Sequence, residues 1–264
     1  MSAQLIRYYG SKWHLASWIV ANFPPHTIYV EPFGGSAAVL LQKQPSPVEV
    51  LNDIDGEVTQ FFRVLREQPE ALARAVMLTP YSREEAELSW EPSDDPIEAA
   101  RRFLVRSWQT IGGPSTRWRS GWRFKRAPVE MRRILRAWKS LPEAVMQAAE
   151  RLRDVVLERR DYRQILAAYD GPGTLFYLDP PYLQATRSRQ WKNGGYRHEV
   201  DHGELLEALR QVRGAVVLSG YPSPLYDEAL QGWGRCVRGT TNSGGRRVAE
   251  VLWLNRPAQQ ATLF

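Results

Sequence analysis

Cysteine is nearly absent: Cys236 stands alone among 264 residues. That excludes an internal disulfide framework and a thiolate zinc cluster. It also leaves little case for a cysteine nucleophile, because no motif surrounds Cys236. Long apolar runs are missing as well. Nothing approaches the ~20 residues that span a bilayer, so no membrane association is expected. The opening stretch, MSAQLIRYYGSKWHL, lacks the apolar core and small-residue cleavage site of a secretory signal. These absences place the chain in the cytoplasm. What remains is ordinary globular composition, 43% hydrophobic and 24% charged, with room for one or two domains.

Acidic residues are scarce in one region. Between Arg101 and Arg136 stand eleven basic residues and one acid, Glu130, so this segment carries +10 while the whole chain carries +6. The same segment holds Trp108, Trp118, Trp122 and Phe124. Arginine interleaved with aromatics suits a polyanion that also offers flat bases, which is a nucleic acid. A solvated basic face on a helical unit is the plainer alternative.

Hydrophobic patterning divides the chain. Ile28-Tyr29-Val30-Glu31 reads as a short buried strand that enters Pro32-Phe33-Gly34-Gly35-Ser36, with a small-residue helix expected over 37–41. A second strand, 48–51, ends in Asn52-Asp53. A helix follows, with Val58, Phe61, Phe62 and Leu65 on one face. From about 69 to 153 the pattern is helical, interrupted by prolines, and offers no convincing strand. The α/β pattern then resumes: strand 155–157, helix 162–169, strand 175–178, helix 203–213, strand 216–218, and a hairpin pairing 237–241 with 248–254. The expected organisation is an α/β domain of residues 1–56 and 154–264, with a basic helical insertion at 57–153.

Three short segments carry chemistry. Asp179-Pro180-Pro181-Tyr182 closes an apolar strand, at the end of a parallel sheet where ligands bind. Its prolines stiffen the turn and donate no N–H. A carboxylate beside free carbonyls accepts from an amino group, and an adjacent tyrosine offers a stacking face. The glycine turn permits close approach of the main chain to a ligand, but it has neither a Walker lysine nor GxGxxG spacing. Asp53 follows about 20 residues later, where an acid accepts ribose hydroxyls; a helix cap is its plainer role.

Taken together and in order, these segments resemble the Dam-type, DPPY-motif DNA adenine methyltransferases. The likeness begins at Arg7-Tyr8-Tyr9-Gly10-Ser11-Lys12, similar to that family's aromatic-x-Gly-Gly-Lys segment, although Ser11 replaces the second glycine. It continues through Glu31 to Ser36, Asn52-Asp53, Asp161-Tyr162 and Asp179 to Tyr182. The resemblance implies a Rossmann-like S-adenosylmethionine-dependent methyltransferase sheet with a helical target-recognition insertion. It also implies methyl transfer from S-adenosyl-L-methionine to the exocyclic amine of a flipped adenine in double-stranded DNA. By the same likeness, Tyr8, Lys12, Glu31, Phe33, Gly34, Gly35, Ser36, Asp53, Asp161, Tyr162 and Asp179 attend the cofactor. Asp179, Pro180, Pro181 and Tyr182 hold the base. No metal is implied. Arg117, Trp118, Arg119, Trp122, Arg123, Lys125 and Arg126 are the DNA candidates in the insertion, and Arg187, Arg189 and Lys192 those in the loop after the tyrosine. The asparagine-rich segment of GATC-reading members is missing, so the target sequence is expected to differ.

Other readings stay open: transfer to RNA adenine or to the cytosine amine of DNA, or a catalytically silent DNA-binding homologue. The tail Gln260, Ala261, Thr262, Leu263 and Phe264 resembles peptides that dock on bacterial sliding clamps.

Overall fold

The computed structural model describes residues 4–114, 118–187, 196–241 and 247–256. Arg117, Arg189, Lys192 and the tail from Gln260 to Phe264 lie outside the described residues. Seven strands are present: β1 (Ile28–Glu31), β2 (Val48–Asn52), β3 (Val155–Glu158), β4 (Thr174–Leu178), β5 (Ala215–Gly220), β6 (Gly234–Thr241) and β7 (Arg247–Leu254). They form one sheet in the order β3-β2-β1-β4-β5-β7-β6. The first five run parallel, with Ile28 opposite both Val48 and Thr174. β7 is antiparallel to β5 and to β6. Chain order reverses between β1 and β4, which is where a doubly wound sheet opens a ligand crevice.

The sequence of the central strands explains their position. Every residue of β4 and β5 is buried, as expected of parallel strands covered on both faces. Tyr29, Leu51, Leu175, Tyr177, Val217 and Leu252 face one core. Val30, Val50, Phe176, Leu178, Val216 and Trp253 face the other. β6 is mostly exposed and carries Arg235 and Arg238, charges that discourage pairing at a sheet edge.

Between β2 and β3 run α2 (Gly56–Glu67), α3 (Pro69–Leu78), α4 (Arg83–Leu88), α5 (Pro96–Gln109), α6 (Pro128–Lys139) and α7 (Leu141–Arg151). Prolines here begin helices rather than only break them. Pro69, Pro96, Pro128 and Pro142 occupy first turns, where the missing N–H costs nothing. Phe61, Phe103, Leu72 and Val145 share one continuous core with the sheet. After β3 come α8 (Tyr162–Tyr169), α9 (His202–Gln211) and α10 (Pro224–Ala229), which build the opposite layer.

The expected helix at 37–41 does not form. That stretch is a run of turns, with Gly35 at φ 48° and Ala37 at φ 50°. Two left-handed residues so close together prevent entry into a right-handed helix. Two short helices escaped the pattern reading: α10 and, ahead of β1, α1 (Ala16–Val20). They are too short for a helical period to show.

Candidate active site

The carboxyl ends of β1 and β2 are tied by a few side chains. Gly34 donates its N–H to the Asn52 carbonyl at 2.7 Å. A Cβ on Gly34 would fall 2.8 Å from Leu51 Cδ1 and 2.9 Å from that carbonyl, so only glycine fits. The Asn52 amide donates to the carbonyls of Pro32 (2.8 Å) and Arg160 (3.0 Å) and accepts from the Arg160 N–H (2.8 Å). One buried side chain thus joins the glycine turn, β2 and the loop before α8. Asp53 accepts from the N–H groups of Gly35 (2.7 Å) and Asp55 (2.9 Å). Burial nevertheless pushes its carboxyl up to about 6. Glu31 accepts from the Tyr29 hydroxyl and the Leu40 N–H. Burial raises it to about 8, so it braces the turn as a largely protonated acid at neutral pH.

The corner after β4 is pinned from several sides. Arg187 Nε donates to the Tyr182 carbonyl at 2.7 Å, and its guanidinium forks onto Glu199. Buried His202 engages the Pro181 backbone and, through Nδ1, the Tyr226 hydroxyl at 2.6 Å. Tyr182 is stacked on Tyr221, with ring centroids 4.3 Å apart and planes 6° from parallel. Lys12 Nζ lies 2.5 Å from Asp179 Oδ1 and donates to the Tyr182 hydroxyl at 2.8 Å. Burial pushes Asp179 up to about 6, with Glu250 adding to the rise and Lys12 opposing it. Burial also works against the Lys12 charge, yet Asp179 and Glu250 outweigh it and hold the ammonium raised. Among the described residues, none donates to the Pro180 carbonyl.

These pieces face one cavity of about 460 Å³. Tyr8 and Lys12, the turn from Glu31 to Ser36, Asp53, Asp161 with Tyr162, and the corner from Asp179 to Tyr182 all line it. Phe33 packs against Tyr162 at 5.5 Å, and Tyr8 lies over Gly35, 3.4 Å from where a Cβ would stand. Asp161 also caps α8 through the Arg163 N–H. The hydroxyls of Tyr162 and Tyr177 are buried with no protein partner. Both residues line the cavity. The segment 196–200 forms part of the wall, tethered by Arg197 to Asp55 (3.3 Å) and Glu57 (2.8 Å).

The basic candidates separate into two kinds. Arg187 is turned inward, with its side chain 2% exposed, and props the corner rather than facing solvent. Its donors are engaged by the Tyr182 carbonyl and by Glu199. Arg101 pairs with Glu85 and Glu98, Arg102 with Glu98, and Arg106 with Glu57. Arg123 is half-buried on the carbonyls of Thr110 and Ile111. By contrast Lys125 and Arg126, together with Arg132, Arg133 and Arg136 of α6, are exposed beside Phe124, Val129 and Leu135. Arg119 meets Glu91 at the surface, and Trp118 is half-buried. Trp122 stacks on Phe124 at 5.2 Å, and the Arg83 guanidinium lies over the Trp122 ring at 5.0 Å.

Sequence reasoning missed Glu250, Tyr177, Tyr196, Tyr221 and the bracing role of His202. For Glu250 a signal existed: an acid inside the apolar run Val248 to Leu254 demands a buried partner.

A family model for D12 class N6 adenine-specific DNA methyltransferases matches residues 8–90 and 127–239. The intervening stretch, 91–126, holds Trp108, Trp118, Trp122 and Phe124. No curated protein matches the chain. Solved structures resemble it at a distance. One is a conserved hypothetical protein of Streptococcus pyogenes, 11% identical over 93% of this chain and 96% of that one, with a TM-score of 0.39. Another is the putative methyltransferase yhhF of Escherichia coli, 11% identical over 94% and 84%, with a TM-score of 0.36. A third is a SAM-dependent methyltransferase of Agrobacterium tumefaciens, 11% identical over 92% and 59%, with a TM-score of 0.35. Likenesses this remote carry no argument beside the family match.

Proposed function

The chain belongs to the D12 class N6 adenine-specific DNA methyltransferases, enzymes that draw their methyl group from S-adenosylmethionine, and from that premise we propose how its residues divide the work. Asp179 and the Pro180 carbonyl hold the amine of an adenine turned out of the duplex. The turn from Glu31 to Ser36, with Tyr8, Asp53, Asp161 and Tyr162, holds the cofactor. The residues fit that group. A partly buried carboxylate at Asp53 suits ribose hydroxyls, and it lines the same cavity as the glycine turn.

One observation carries the reading. At the corner, His202 engages the Pro181 backbone and Arg187 the Tyr182 carbonyl, while no described residue donates to the Pro180 carbonyl beside Asp179. Two rigid oxygen acceptors next to each other match the two hydrogens of an exocyclic amine. Holding both hydrogens draws the nitrogen away from planarity and localises its lone pair. Bound S-adenosylmethionine supplies an electrophilic methyl group on a sulfonium. Extrusion of the base costs a few kcal/mol. Stacking on Tyr182 returns about 1–3 kcal/mol. Most of the acceleration then comes from orientation and from acceptors fixed before the reaction begins.

Residues 57–153 serve target recognition in this reading. The support is the exposed basic surface of α6 and the Trp122–Phe124 stack. The test uses purified protein, unmethylated plasmid DNA and labelled cofactor, with nucleoside mass spectrometry and methylation-sensitive sequencing. N6-methyladenine at one short sequence is the expected product. Label found only in methylcytosine, or only in RNA, overturns the proposal.

A further inference from the structure

Asp179 does not stand empty for an amine. Lys12 Nζ donates to it at 2.5 Å, to the Tyr182 hydroxyl at 2.8 Å and to the Gly10 carbonyl at 3.2 Å. The three protons of the ammonium are therefore all engaged, in a place where its side chain is 3% exposed. An incoming adenine must take the Asp179 oxygen from this cation. A buried ammonium left without a counter-charge is strongly unfavourable, so the cation needs somewhere to go.

Glu250 supplies the place. Its carboxylate is 2% exposed and stands 3.4 Å from Lys12 Nζ. The Ser219 hydroxyl fixes one oxygen at 2.7 Å, and the Tyr182 hydroxyl approaches the other at 3.4 Å. Among the described residues, Asp179 and Glu250 are the two carboxylates within ion-pairing reach of Lys12. We propose that Glu250 is a second seat for the Lys12 ammonium, a positioning residue that receives the cation when the target amine claims Asp179. The inference rests on the adenine-methylation reading above. A shift of less than about one ångström would turn the longer contact into a full hydrogen bond within the usual N–H···O range. Lys12 then acts as a stand-in for the substrate amine: it keeps Asp179 ionised and aimed between turnovers, and yields without leaving a charge stranded. Tyr182 shares both states, because its hydroxyl touches Lys12 and Glu250 alike.

Two experiments test this, and they fail separately from the functional reading. The first is a thermal-unfolding cycle that needs no substrate. Asp179→Asn and Glu250→Gln should each lower Tm by about 3 °C, since Lys12 keeps one seat. Together they should lower it by about 10 °C or more, and adding Lys12→Met should recover most of that loss. Strictly additive losses, with no recovery, overturn the two-seat arrangement. The second is single-turnover methylation of unmethylated plasmid DNA. Glu250→Gln should slow transfer at least tenfold while cofactor affinity stays within twofold, and Glu250→Asp should restore part of the rate. In a Lys12→Met background, Glu250→Gln should have no further effect. An unchanged rate in Glu250→Gln, or the same loss with Lys12 already replaced, overturns the role. If the wild-type protein places no methyl group on adenine, the functional reading falls while the unfolding cycle still decides whether Lys12 has two seats.

Discussion

The corner at residues 179–182 and the basic surface around α6 use polar groups in opposite ways. At the corner Lys12, Arg187 and His202 are buried and bonded to named partners, and the tyrosine ring is stacked flat on Tyr221. On α6, Arg132, Arg133 and Arg136 stand in solvent beside exposed Val129 and Leu135. A site that performs bond chemistry must fix its dipoles in advance, because reorganising them during the reaction adds to the barrier. A surface that reads a long polyanion has no such need, since its counter-charge arrives with the ligand. Arg101 and Arg106 show that basic residues close in sequence to the surface set can belong to the buried kind, through Glu85, Glu98 and Glu57.

The largest expected effect tests the prearranged side. Asp179→Ala should lower the single-turnover rate on the order of 10²–10³-fold, with circular dichroism unchanged. Near-normal turnover in a folded variant would remove the amine-holding role. Next comes Asp53, whose loss should weaken cofactor binding by about 10–100-fold in calorimetry, by analogy with the loss of a charged hydrogen-bond acceptor.

The sign of the pH dependence follows from its raised carboxyl, near 6 against an ordinary 3.8. Ionised Asp53 weighs against the fold, so its contribution to stability is full below about 4 and lost as pH rises through about 6. Cofactor affinity runs the other way: full above about 6 and declining below it as the acceptor is protonated. Affinity that tracks Tm between pH 5 and 8, or that declines identically in Asp53→Asn, would assign the effect elsewhere.

The contrast among arginines gives a paired experiment. Arg101→Ala should cost about 1–3 kcal/mol of stability by leaving Glu85 without its partner, while Glu98 keeps Arg102, with DNA affinity unchanged once the variant is folded. Replacing Arg132, Arg133 and Arg136 with alanine should leave Tm nearly unchanged. In log affinity against log salt, it should reduce the slope by about 3. If the two variants behaved alike, the division into buried and surface cations would be lost. The smallest effect expected is Tyr221→Ala, about 0.5–1.5 kcal/mol from the lost ring stack. Urea unfolding reads it, accompanied by a modest fall in transfer rate as Tyr182 loosens.

Much of this was legible before any coordinates. The strands at 28–31 and 174–178 are apolar runs closed by Glu31 and Asp179, and they ended where the sheet opens. Asp53 and Asp161 sat in short local motifs whose spacing places them on one rim. Glu250 announced only that it needed a buried partner, not which one, and Tyr221 carried no signal as a site residue, because their partners come from far along the chain. Lys12 was read as a cofactor contact, yet its ammonium points to the corner, which depends on the packing of β4, β5 and β7 together. The turn at 37–41 misled because small apolar residues favour a helix, and the left-handed backbone at Gly35 and Ala37 is imposed by contacts across the site. The inward orientation of Arg187 was illegible too: it depends on Glu199, across a loop whose path no local pattern gives.

β7 lies between β5 and β6, and it brings Glu250 beside a lysine from the first turns of the chain. During synthesis, residues 12 and 179 leave the ribosome well before residue 250. Until β7 docks, the 3.4 Å contact between Lys12 and Glu250 is missing. If Glu250 is the second seat of Lys12, shortened products that stop before β7 are expected to be inert in methyl transfer.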